Sequence, residues 1–169
     1  MNTKKKYRLV TQLGEWACGV ACVASALGIS YSDALRRLEK LKGAKVSDRP
    51  RGLELDPIIR VMTDAGFPVT EQTKHRQWPP GTIAFLSEDW GKYKGGGHYL
   101  LRCPDGWMDS WVNYPDKPRL AAYRKRLPYG TEVQTALVPI RRVQEVLDTG
   151  EDHQPPDEAQ SSRSEENPR

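Results

Sequence analysis

From Cys18 to Leu27 the chain runs through small and apolar residues, broken only by Ser25, and Gly28 follows. A stretch of this length, apolar on nearly every side, reads as a buried helix. Such a helix must be covered by other elements, so the remaining chain has to supply layers around it. Gly28 suits its end, because glycine takes the left-handed conformation that closes helices. The same helix opens on Cys18. A thiol in a first helical turn is drawn toward thiolate by the amides pointing at it, and the thiolate is the nucleophile.

Two more helices are expected. Ser30 or Ser32 caps the second, with Asp33 in its first turn; Leu35, Leu38 and Leu41 share a face, and Gly43 ends it. The third begins at Leu55 or Asp56, has Pro57 in its first turn, and carries Ile58, Ile59, Met62 and Ala65 inward. Tyr7 to Thr11 is a short strand or an extended lead-in. Strands are expected at Val69 to Gln72, Thr82 to Leu86, Tyr99 to Cys103, Trp107 to Val112 and Glu132 to Ile140. Cys103 to Gly106 makes a hairpin turn, and Arg141 to Leu147 a closing helical turn. Helices come first and strands second. That order predicts an α+β fold, with N-terminal helices packed on a C-terminal antiparallel β-sheet.

The 169 residues suit one domain, 1–147, followed by an acidic tail, 148–169, too polar to order itself. Seven acidic and two basic residues lie from Asp148 onward; the whole chain carries +4, so the residues before Asp148 carry +9. The basic residues are dispersed on solvated faces, such as Arg36, Arg37 and Lys40, so nucleic acid is not the expected partner. No apolar core follows the charged start, and no run approaches the roughly 18 apolar residues of a membrane span. Three cysteines, an odd number, fit a cytoplasmic protein with free thiols.

Other residues bear on chemistry. Gln12, six residues before Cys18, is placed to lend a side-chain N–H to an oxyanion. His98 opens a strand after Gly95, Gly96 and Gly97, which would let a substrate backbone come close, Gly97 nearest. His75 lies in a polar loop and His153 in the tail, which leaves His98 as the candidate base. Trp16, Trp107 and Trp111 either wall a cleft or belong to the core. The three glycines are not a phosphate loop, since no Gly-Lys-Ser/Thr ending follows. Cys18, Cys22, His98 and Cys103 do not have zinc-site spacing, and no cofactor or metal is expected.

Gln12, Cys18-Gly19 and Ala21-Cys22 resemble the front motif of the bacteriocin-processing double-glycine leader peptidases, a C39-like group of papain-like cysteine peptidases. The resemblance covers roughly Gln12 to Tyr114. It implies a papain-like fold, a Cys18 nucleophile, a Gln12 oxyanion donor, a His98 base, a core role for Cys22, a bacterial origin and a peptide or protein substrate. The family's acid, commonly in an Asp-Pro pair, corresponds to Asp109, here followed by Ser110. The 11-residue step from His98 to Asp109 is short for that family. If Asp105-Gly106 centres a two-residue turn, His98 lies opposite Asn113 instead, and papain itself uses asparagine in this role. Asp109 and Asn113 both stand as the orienting residue.

Two functions follow. One is a thiol hydrolase cleaving a peptide bond, whose acyl-enzyme can also pass to an amine. The other is a papain-like module without catalysis that recognises a peptide or nucleic acid.

Overall fold

The computed structural model describes residues 7–74, 77–87, 89 and 91–140. The expected turn at 141–147 and the tail at 148–169 lie outside them. Three helices come first: α1 (Cys18–Leu27), α2 (Tyr31–Lys42) and α3 (Leu55–Asp64). Six strands follow: β1 (Val69–Gln72), β2 (Ile83–Leu86), β3 (His98–Cys103), β4 (Gly106–Asp109), β5 (Ala122–Arg124) and β6 (Val133–Pro139). They form one antiparallel sheet in the order β1-β6-β2-β3-β4-β5. The fold class is α+β.

α1 sits at the centre, with Gly19 to Ala26 all buried. It packs on β3 and against α2 and α3. Each buried Val or Leu contributes roughly 1.5–3 kcal/mol, which is why this mostly apolar helix takes the middle. The helix ends follow local chemistry. Gly28 and Gly43 close α1 and α2 in the left-handed conformation, and the Ser30 side chain accepts the Asp33 N–H at 3.1 Å. Both faces of the sheet are covered. Ile83, Tyr99 and Leu101 point to the helices, while Ala84, Leu86, Leu100 and Trp107 pack with Tyr93 on the far side. Among the described residues no single helix is long and apolar enough to cross a membrane.

Tyr7 to Thr11 forms no strand, in line with the second of the two forms expected there. Three expectations need correction. β4 stops at Asp109 instead of reaching Val112, because the chain turns there to begin a loop. A short 3-10 helix, Gly91–Tyr93, stands inside the expected loop. Strand β5 was not expected at all; its three residues are too few and too polar to show a period.

The hairpin turn lies at Cys103 to Gly106 as expected, and its register rules out the alternative centred on Asp105-Gly106. Cys103 pairs with Gly106 and Leu101 with Met108, so the turn centres on Pro104-Asp105 and not on Asp105-Gly106. Gly106 holds φ at 155°, and a Cβ there would lie 2.1 Å from the Arg124 carbonyl oxygen. Gly106→Ala is expected to cost roughly 2–5 kcal/mol through this backbone clash. A thermal melt should show a drop in Tm of roughly 5–15 °C. An unchanged Tm would mean that β5 does not lie against the turn as described.

Candidate active site

Cys18 is the first residue of α1, and its helix start abuts the first residues of β3. The Tyr99 N–H reaches its Sγ at 3.4 Å. Cys18 is partly exposed, whereas Cys22, one turn on, is buried in the core. His98 is the first residue of β3 and is also buried. Its Nε2 lies 2.9 Å from Asp109 Oδ1, which leaves Nδ1 for the thiol.

The register explains how Asp109 reaches His98. Asp109 stands two residues beyond Trp107, which pairs with Arg102, so it faces Leu100, two residues from His98 on the same side of the sheet. Such diagonal neighbours are within reach of a carboxylate and an imidazole. Asn113 is turned elsewhere: its amide donates to Pro118 O at 2.9 Å, and its carbonyl accepts from Leu120 N at 3.0 Å. The structure therefore brings Asp109, and not Asn113, to His98. A turn shifted by one residue had moved the expected partner of His98 by two.

Asp109 is fully buried and saturated with donors. Oδ1 accepts from His98 and from Trp111 N at 3.0 Å; Oδ2 accepts from Arg124 Nε at 2.6 Å and from Tyr93 Oη at 3.3 Å. Burial pushes the carboxyl up, but these bonds and the His98 charge outweigh it and hold the pKa far below the usual range. Burial likewise opposes charge on His98, yet hydrogen bonds to Asp109 and Cys18, and the charge of both, raise its pKa to about 9. Burial raises the Cys18 thiol; the bond to His98, its charge, and the Tyr99 and Gly19 amides bring it below the usual value. Together these shifts favour a thiolate–imidazolium pair, titrating as one unit.

Gln12 is buried beside the site and lines the same cleft as Cys18. Its Oε1 accepts from Ser110 Oγ at 2.7 Å. Its Nε2 donates to the carbonyls of Gly14 at 2.8 Å and Glu15 at 3.0 Å. An amide nitrogen carries two protons, so both are engaged in the turn that leads to Cys18. Service as an oxyanion donor requires one of these bonds to open.

A cleft of about 800 Å³ runs across the site. Trp16, Trp111 and Gly97 line it, together with Phe85 and Tyr114. Gly96 passes so close to Trp16 that a Cβ would stand 3.3 Å from the indole, and Gly97 leaves no room for a side chain before Phe85. Trp107 is instead in the far-side core under Arg102. Among the described residues no group of three or more His, Cys, Asp or Glu side chains could hold a metal ion.

Three site residues had escaped the sequence reading. Tyr93 stacks on the His98 ring at 4.2 Å and 17°. Arg124 grips Asp109, and Ser110 orients Gln12. Arg124 sits in an Arg-Lys-Arg run and Tyr93 in a glycine-rich loop, and neither context signals a buried partner. The Ser110 signal was available as the departure from Asp-Pro.

No protein-family model matches this chain, and no curated protein matches it. Among solved structures it is similar to the peptidase domain of Streptococcus ComA, a bi-functional ABC transporter involved in a quorum-sensing pathway. The identity is 16%, the match covers 81% of this chain and 100% of that one, and the TM-score is 0.48.

Proposed function

We propose that this protein is a papain-like cysteine peptidase. The observation that carries the reading is the row Cys18–His98–Asp109, with the nucleophile at a helix start inside a cleft. The Cys18 thiolate attacks a peptide carbonyl; the new C–S bond forms as the carbonyl π pair moves to oxygen. The intermediate collapses, and the leaving amine takes the proton from His98 Nδ1. Neutral His98 then takes a proton from water, the resulting hydroxide attacks the thioester, and the thiolate leaves with His98 again protonated. Asp109 holds the ring and stabilises its charge throughout. The walls at Trp16, Gly96 and Gly97 favour small residues next to the scissile bond.

Limiting iodoacetamide, followed by mass spectrometry at each cysteine, tests the pair. Cys18 is expected to react well below pH 8, faster than Cys22 or Cys103, and His98→Ala to slow it. Cys18 reacting no faster than a free thiol would remove the hydrolase reading and leave a peptide-binding module.

The double engagement of Gln12 favours a second reading of that residue, as a tether of the turn before Cys18. Gln12→Ala separates the two roles. Alkylation by iodoacetamide forms no oxyanion, whereas acylation by p-nitrophenyl N-acetylglycinate does. An oxyanion donor predicts about a 100- to 1,000-fold loss of acylation with alkylation unchanged. A tether predicts that both fall together.

A further inference from the structure

The papain-like reading puts a neutral or acidic side chain behind the histidine, but here that side chain has a cation behind it. Arg124 Nε donates to Asp109 Oδ2 at 2.6 Å, and its Nη2 donates to Val112 O at 2.9 Å. Arg124 lies on β5 opposite Trp107, on the same side of the sheet as Asp109, and it is absent from the cleft lining. Its guanidinium is largely buried and Asp109 fully so, so little water screens the pair. A full carboxylate charge beside the imidazolium would hold its proton too tightly for delivery to a leaving amine. A cation on the second oxygen removes much of that excess.

Resting on the peptidase reading, we propose that Arg124 is a positioning residue that offsets the charge of Asp109 and thereby tunes His98 as proton donor. The catalytic row is then Cys18–His98–Asp109 backed by Arg124, with the Asp–Arg pair as a nearly neutral acceptor. Other charged and titratable groups act on this row: Cys22 from α1, Lys92 and Tyr93 from the 3-10 helix, and Tyr31 and Tyr99 beside Cys18, while Asp116 acts on Lys92. Lys92 donates to Val112 O at 3.0 Å, the same carbonyl that Arg124 uses, whereas Arg124 also donates to Asp109 itself. Arg124 therefore holds the dominant position.

The test follows the His98 ring by NMR across pH, in wild type, Arg124→Met and Arg124→Lys, with Cys18 alkylation read alongside. Arg124→Met is expected to raise the His98 pKa by about one unit, and Arg124→Lys to stay near wild type. A purely structural Arg124 predicts the opposite sign, since a loosened Asp109 supports the imidazolium less. An unmoved or lowered pKa in Arg124→Met overturns the proposal. If that variant does not fold, Asp109→Asn is compared with Asp109→Asn/Arg124→Met. The double variant should titrate higher, and an equal titration overturns the proposal. Failure of the peptidase reading is separate, since it appears in the wild type as an unreactive Cys18.

Discussion

If the protein is the peptidase proposed, Cys18→Ala is expected to lose all hydrolytic turnover while keeping its fold. The substitution removes only Sγ, from a partly exposed residue at the start of α1. The helix keeps its buried face and its Gly28 end, so Tm should stay within a few degrees of wild type. Loss of a nucleophile costs about a million-fold in the best-studied hydrolases, because no other group can form the covalent intermediate. Incubation with a peptide substrate found for the wild type provides the check, and retained turnover would sink the mechanism. The same variant has a second readout. His98 owes part of its raised pKa, about 9, to the hydrogen bond and charge of Cys18. Without the sulfur its ring should titrate lower, still supported by Asp109. An unchanged His98 titration would mean that the thiol and imidazole do not interact.

Asp109→Ala is expected to be the most destabilising single change in the site. It strips the partner from His98 Nε2, Trp111 N, Arg124 Nε and Tyr93 Oη at once. Removing one member of a buried ion pair costs about 3–5 kcal/mol, because the other charge stays buried without compensation. Denaturant unfolding should show this as a lower midpoint with an unchanged slope. Cys18 alkylation should then require a pH near that of an ordinary thiol. The sign of the pH dependence follows from the direction of the shift. The carboxyl is depressed in the folded state, so its contribution is complete above the usual carboxylate range, near pH 4. It is lost progressively as pH falls through and below that range. Acid unfolding of the Ala variant should therefore be flatter than that of wild type. His98 runs the other way. Its raised pKa contributes stability that is full below about pH 6.5 and lost as pH rises toward about 9.

How far these sites were legible depended on whether their partners lay nearby in sequence. Cys18 and its helix were readable because one segment holds the whole signal: a thiol, an apolar run and a closing glycine. Ser30 was readable as a cap because its partner is three residues away. β1 matched the expected Val69 to Gln72, and the neighbouring strands shifted only at their ends. The third member of the site was readable only through the family resemblance, which matches Asp109; hairpin spacing alone pointed to Asn113. On spacing alone it turned on where the two-residue turn falls: one step there moves the position opposite His98 from Asn113 to Trp111, which leaves Asp109 as the diagonal neighbour.

The sequence by itself determined the helices-then-sheet order, the buried central helix with its thiol, and the single histidine suited to face it. Those follow from periodicity, glycine stops and composition, which act within a few residues. Only the tertiary structure decided that Asp109 and not Asn113 touches His98, that Gln12 is held by Ser110, and that Arg124 and Tyr93 close around Asp109. These contacts join residues 11 to 98 positions apart. Their geometry is set by strand register and by the packing of β5 on Gly106, which no local pattern in the chain encodes.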